Sequence, residues 1–120
     1  MAEVKLRIES LDEFFADARR TARRIDAGDM TAEPAAISFE SMEVLLKALT
    51  PNRWRMLRRL RALGASSIRA LAQALGRDYR GVHSDVVALV EIGLIERLES
   101  GKITVPWSRI TAEVSLDEAA

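Results

Sequence analysis

The stretch from residue 51 to residue 107 reads PNRWRMLRRLRALGASSIRALAQALGRDYRGVHSDVVALVEIGLIERLESGKITVPW, and its own punctuation divides it into three helices and a hairpin. Thr50 before Pro51 supplies a side-chain acceptor at an N-cap and a residue preset for the first helical position, and Gly64 gives the chain its exit. Between them Trp54, Leu57, Leu60 and Leu63 recur every three residues and predict an apolar face, with Arg53, Arg55, Arg58, Arg59 and Arg61 on the others. Ser66 or Ser67 caps a second helix in which Ile68, Leu71, Ala72 and Leu75 follow the i, i+3, i+4, i+7 rule, and Gly76 ends it. A third helix starts under Asp78, buries Val82, Val86, Leu89 and Val90, and stops at Gly93. Residues 94–98 and 102–105 then form two strands joined at Ser100-Gly101, a turn sequence suited to a hairpin. Helix, short helix, tight turn, longer helix and basic hairpin is the order of a winged helix-turn-helix, with the hairpin as its wing.

Composition narrows what such a chain does. At 120 residues it has the length of one domain, and with no cysteine it has neither a disulfide framework nor a cysteine metal site. His83 is the sole histidine and no carboxylates surround it at metal-ligand spacing; Asp85 reads as pointing to a different face. No glycine-rich phosphate loop, nucleophile elbow or paired-carboxylate motif is present, so the expectation is a non-enzyme with no cofactor and no metal. The N-terminus lacks an apolar targeting core and no run approaches the about 18 apolar residues of a membrane span, which predicts a cytoplasmic protein with no membrane partner.

The net charge of zero hides a partition. Residues 1–50 hold 7 Lys+Arg against 10 Asp+Glu, residues 51–110 hold 11 against 5, and residues 111–120 hold none against 3. The surplus of six positive charges thus coincides with the winged segment, the footprint of a phosphate-binding surface.

The flanks have their own order. Val4, Leu6 and Ile8 alternate with Lys5 and Arg7 as in a half-buried strand, and Ser10-Leu11-Asp12-Glu13 fits a capping box. Behind it Leu11, Phe14, Phe15, Ala18, Ala22 and Ile25 share one face of a helix that closes at Gly28. The sequence GDMTAEPAA (residues 28–36) reads as a hinge loop, residues 39–49 as a second amphipathic helix, and Ile110, Ala112, Val114 and Leu116 as a terminal strand. The predicted class is α+β: a mostly helical winged helix-turn-helix with an extra N-terminal strand and helix and a C-terminal strand. Its expected divisions are residues 1–36 for dimerisation or partner binding, 37–110 for the winged domain and 111–120 for the tail. Removing residues 1–36 is then expected to leave a folded winged domain.

The segments SFESMEVLLKALTPNRWRMLRRL, SIRALAQALGRDYRGVHSDVVALVEIGLIER and ITVPWSRITAEVSL together resemble a prokaryotic family of small winged-helix regulators similar to the antitoxins of toxin-antitoxin pairs. That resemblance spans nearly the whole chain and implies an autoregulatory DNA-binding regulator with a cognate toxin as a possible protein partner. The core also resembles the arsenic- and multidrug-responsive repressors, but the absence of cysteine departs from their metal-sensing members.

On this reading the third helix enters the major groove of double-stranded DNA, with Arg77, Arg80 and Ser84 aimed at base edges or neighbouring phosphates. Arg80 is the first choice for a guanine contact, its alternative being a phosphate clamp. Tyr79 offers its hydroxyl to a phosphate or packs against the hairpin, and His83 makes a phosphate contact or a hydrogen bond within the turn. Arg97 and Lys102 are the wing residues, and Arg69 and Asn52 candidate backbone contacts. One reading helix covers few base pairs, so a homodimer on a palindromic operator is expected, with Leu6, Leu11, Phe14, Phe15 and Ala18 as its interface. Two other readings fit the same pattern: a ligand-responsive repressor without a toxin, and a winged helix used only for protein contacts.

Overall fold

The computed structural model describes residues 2–29 and 35–117. Among these the chain runs β1 (Glu3–Ile8), α1 (Leu11–Asp26), β2 (Ala35–Phe39), α2 (Met42–Ala48), α3 (Pro51–Leu63), α4 (Ile68–Leu75), α5 (Tyr79–Ile92), β3 (Glu96–Arg97), β4 (Ile103–Thr104) and β5 (Arg109–Glu113). The class is α+β, and no helix among the described residues is long and apolar enough to cross a membrane.

Each of the helices begins under a side-chain cap that answers an orphan amide. Ser10 accepts from Glu13 N at 3.2 Å, Ser41 from Val44 N at 3.2 Å, Thr50 from Arg53 N at 3.3 Å, Ser67 from Ala70 N at 3.0 Å and Asp78 from Arg80 N at 3.1 Å. Such a cap contributes about 1 kcal/mol, which matters most for the short α2 and α4. At the far ends of α4 and α5 the backbone turns left-handed at Gly76 (φ 63°) and Gly93 (φ 101°), a conformation that residues with a Cβ rarely adopt.

The buried face of α3 differs from the one the every-third spacing suggests. Met56, Leu57 and Leu60 are buried and Trp54 half-buried, whereas Leu63 is exposed. On a helix of 3.6 residues per turn Leu63 lies within about 20° of the buried Met56, so its exposure comes from its place as the last residue of α3, beside the exit at Gly64, and not from its angle; the buried arc runs from Met56 to Leu57, with Trp54 at its margin.

A three-stranded sheet, ordered β2-β1-β5 with both pairings parallel, gathers segments from the two ends of the chain. Val4 pairs with Ala35 and Ile110, and Leu6 with Ile37 and Ala112, so these residues share one face of the sheet. That face lies on the helices: Val4, Leu6 and Phe39 belong to the same buried cluster as Leu49, Met56, Leu60, Leu71, Val82, Val86 and Leu89. On the opposite face the Lys5 ammonium lies 2.9 Å from a carboxylate oxygen of Glu113. The hydrogen bond from Lys5, followed by the Coulomb attraction of Lys5 and then Arg7, holds the Glu113 carboxyl below its ordinary value. This tie is complete above the ordinary carboxylate range and fades as pH falls through the lowered pKa.

Several expectations change with this sheet. Ala35 and Ala36 pair with β1 rather than closing a loop, and Phe39 ends β2 instead of opening a helix, which starts at Met42 under the Ser41 cap. Residues 30–34 of the expected hinge lie outside the described residues. The boundary at 36/37 falls inside β2 and that at 110/111 inside β5. The tail strand stops at Glu113, leaving Val114 and Leu116 exposed beyond it. Leu6 is fully buried within its own chain and so is not an interface residue. Because β1 is the middle strand and contributes to the shared core, residues 1–36 complete the fold rather than append to it.

The hairpin is shorter than its hydrophobic run implied, with Glu96 opposite Thr104 and Arg97 opposite Ile103. Ile103 also exchanges two backbone hydrogen bonds with Ser66, at 3.0 and 2.8 Å, which fastens β4 to the turn before α4.

Leu6→Ala, by opening a cavity between the sheet and the helices, is expected to lower unfolding free energy by about 2–5 kcal/mol in urea denaturation. Deleting residues 1–36 should abolish the cooperative transition, and a sharp transition in the truncated chain would contradict the role given to β1.

Candidate nucleic-acid interface

Helix α5 has two faces with different work. Val82, Val86 and Leu89 are buried among the core side chains, which orients Arg80, His83, Ser84 and Val87 outward. Asp85 stands on the inner side, three residues after Val82 and four before Leu89, and is largely buried. Its two carboxylate oxygens are each taken by an arginine: Arg53 Nε donates to Oδ1 at 3.0 Å and Arg77 Nη2 to Oδ2 at 2.9 Å. Arg53 also donates through Nη1 to the carbonyl of Ala48 at 2.8 Å, so this network joins the end of α2, the first turn of α3 and the turn before α5.

Arg77 is therefore withdrawn from the outward surface where the sequence had placed it. Its Nη2 is spoken for by Asp85, and its Nη1 is buried with no hydrogen-bond partner among the described residues. A Cβ at Gly81 would come within 3.4 Å of Arg77 Nη2, so the glycine leaves room for this guanidinium on its way to Asp85. The sequence signal for this network was a carboxylate on an otherwise apolar helical stripe, which calls for a cation facing it.

Three of the other expected contact residues converge. The guanidinium of Arg69 on α4 lies 6.0 Å from the ring centroid of Tyr79, and the Tyr79 and His83 rings are 5.9 Å apart and inclined at 35°. Tyr79 thus stands between Arg69 of α4 and the next turn of α5, and stays about half exposed. Beside this cluster Arg80 and Ser84, one turn apart, are exposed, and the Arg80 guanidinium has no ion pair or side-chain hydrogen bond among the described residues.

The remaining candidates lie elsewhere. Arg97 and Lys102 are exposed on the hairpin, whose turn is closed by Leu98 N donating to Lys102 O at 2.8 Å. Asn52, in the first turn of α3, accepts a 2.8 Å hydrogen bond from Arg55 and joins neither group. Arg61 of α3 donates to the Val105 carbonyl at 3.0 Å, which ties α3 to the chain leaving the hairpin, and the indole of Trp107 donates to Gly93 O at 3.0 Å. No three His, Asp or Glu side chains among the described residues converge as metal ligands would.

A family model described as HVO_A0114 matches residues 48–112, more than half of the chain. The chain belongs to the HVO_A0114 family. The matched HVO_A0114 span runs from the last residue of α2 into β5, and it contains Arg53, Arg77 and Asp85 together with the outward face of α5. No curated protein and no solved structure matches the chain.

Asp85→Ala leaves two guanidinium groups without their shared acceptor in a partly dry site, and is expected to cost about 1.5–3 kcal/mol in chemical denaturation. Arg80→Ala, on the opposite face, should leave the midpoint unchanged within about 0.5 kcal/mol. A silent Asp85→Ala would show that the network does not hold the helices together.

Proposed function

We propose that this chain is a DNA-binding transcriptional regulator, acting in the cytoplasm, that reads a palindromic operator with α5 and represses its own transcription. What carries the reading is the outward face of α5: Arg80 and Ser84 stand exposed beside the Arg69–Tyr79–His83 cluster, while the inner face is fully committed to packing. A further support is the placement of six surplus positive charges in residues 51–110, the segment that supplies this surface. The order of α3, α4, α5 and a hairpin fits the winged helix-turn-helix arrangement, in which the third helix enters the major groove and the hairpin flanks it.

In this mechanism α5, about 21 Å long, is held rigidly by its core stripe and by Asp85, so the positions of Arg80 and Ser84 are set before DNA arrives. Arg80 has the length and planar donor pair to bond the O6 and N7 of a guanine. Arg69, Tyr79 and His83 present a cation, a hydroxyl and an imidazole suited to the phosphates beside that base. Arg97 and Lys102 reach flanking phosphates or the minor groove from the wing. A second copy doubles the contact and makes the operator two-fold symmetric, and a cognate toxin is the protein partner that the sequence resemblance implies.

The experiment is to sequence the DNA fragments that co-purify with the protein and titrate the enriched site. Arg80→Ala should weaken that site by about 1–3 kcal/mol and leave random DNA almost unaffected, whereas equal losses on both would make Arg80 a phosphate contact. Affinity should fall steeply between low and physiological salt; a flat response would remove DNA binding from consideration.

A further inference from the structure

Helix α1 is the one long element that the core does not use: none of its residues is buried, and Leu11, Phe14, Phe15 and Ile25 are between 48% and 60% exposed. Phe14 and Phe15 meet edge to face at 5.7 Å, forming an aromatic ridge in water. A helix this amphipathic gains nothing from its apolar stripe until something covers it.

The charges on α1 identify what covers it. The half from Leu11 to Ala18 carries Asp12, Glu13 and Asp17 with no basic residue, and the half from Arg19 to Asp26 carries four arginines with a single carboxylate. The helix dipole explains acid in the first turn and base in the last. It does not explain Asp17 and Arg19 in the middle, where the dipole is not felt, nor an open apolar face between them.

We propose that α1 is a self-complementary interface that pairs antiparallel with α1 of a second copy of this chain, about a two-fold axis beside Ala18. That axis fits the sequence in size and in charge at once. Leu11 comes opposite Ile25 of the partner subunit, the bulky Phe14 opposite Ala22 of the partner subunit, and Ala18 meets its own counterpart at the axis, where small side chains let the helices approach. The same register lays the acidic first half of one helix along the arginine-rich second half of the other, with Asp12 on the same flank and at the same height as Arg23 of the partner subunit, and Glu13 likewise beside Arg24 of the partner subunit. Parallel pairing would put acid on acid and arginine on arginine. The exposed Asp17–Arg20 pair within the helix is no obstacle, since such pairs are worth little and re-form readily. This interface stands without the DNA-binding reading, which it would supply with its second reading helix.

The absence of cysteine makes the register directly testable in the full chain. Under mild oxidation Ala18→Cys should give a covalent dimer, because the two Ala18 residues meet at the axis. Leu11→Cys should not link to itself, its counterparts being about 20 Å apart, but should link to Ile25→Cys when the two variants are mixed. In sedimentation, Asp12→Arg should weaken the dimer at least tenfold, and adding Arg23→Glu should restore it. None of these readouts involves DNA, so a protein that binds no DNA yet links at Ala18 upholds the interface and removes only the functional reading. A monomeric full-length chain at tens of micromolar, self-linking of Leu11→Cys as ready as that of Ala18→Cys, or a double reversal that restores nothing would each overturn the proposal.

Discussion

The parallel pairing of β1 with both β2 and β5 is the constraint on which the rest of the molecule depends. Parallel strands cannot be joined by tight turns, so each partner of β1 has to return to it by a crossover, through α1 in one direction and through the whole helical body in the other. The helices α2 to α5 are consequently enclosed between two strands that must lie on either side of the same middle strand. Val4 and Leu6 project from that strand into the helical core, so the sheet is a wall of the core rather than a separate layer.

Within that frame the Arg53–Asp85–Arg77 network has a second effect. Two arginines from a basic stretch are turned inward by a single carboxylate, and the arginines that remain outside are the ones with freedom to meet an anion. The segment's positive charge therefore overstates the charge its surface presents. The cost of drying these groups is offset by their mutual attraction only in part, which is why such a network acts more as a fixed joint than as a source of net stability.

Sequence patterning made much of this legible, and the places where it did not are physical ones. The caps at Ser10, Thr50, Ser67 and Asp78 and the stops at Gly76 and Gly93 are local chemistry, and they stand where the residues put them. The core face of α5 was likewise readable, because four apolar residues at helical spacing leave little choice. β2 was not, since Ala35-Ala36-Ile37-Ser38-Phe39 has weak strand preference and becomes a strand through the ladder that β1 offers. Leu6 was assigned to the wrong surface for the same reason: alternation shows that one face is apolar but not whether the chain itself or a second chain covers it. At the candidate site, Arg80, Ser84, Tyr79 and His83 share one end of α5 as the helical spacing implied, whereas Arg69 joins them from α4 through packing that no spacing encodes. Arg77 differs because its fate was decided by Asp85, eight residues on, and Arg53, in another helix, a pairing no local pattern encodes.

The arrangement of the sheet also sets an order of events at the ribosome. β1 is made before the helices α1 to α5 and β5 after them, yet they are neighbours, so the contacts that close the core join segments separated by the whole helical body. Contacts of that kind form late and slowly, because the loop entropy is spent before any of them contributes. Until residues 109–113 emerge, one edge of β1 and the apolar side chains of Val4 and Leu6 have no permanent cover. A nascent chain of this protein thus carries a half-paired, apolar strand until β5 is made, the kind of segment that chaperones shield and that proteases find first when translation stops short.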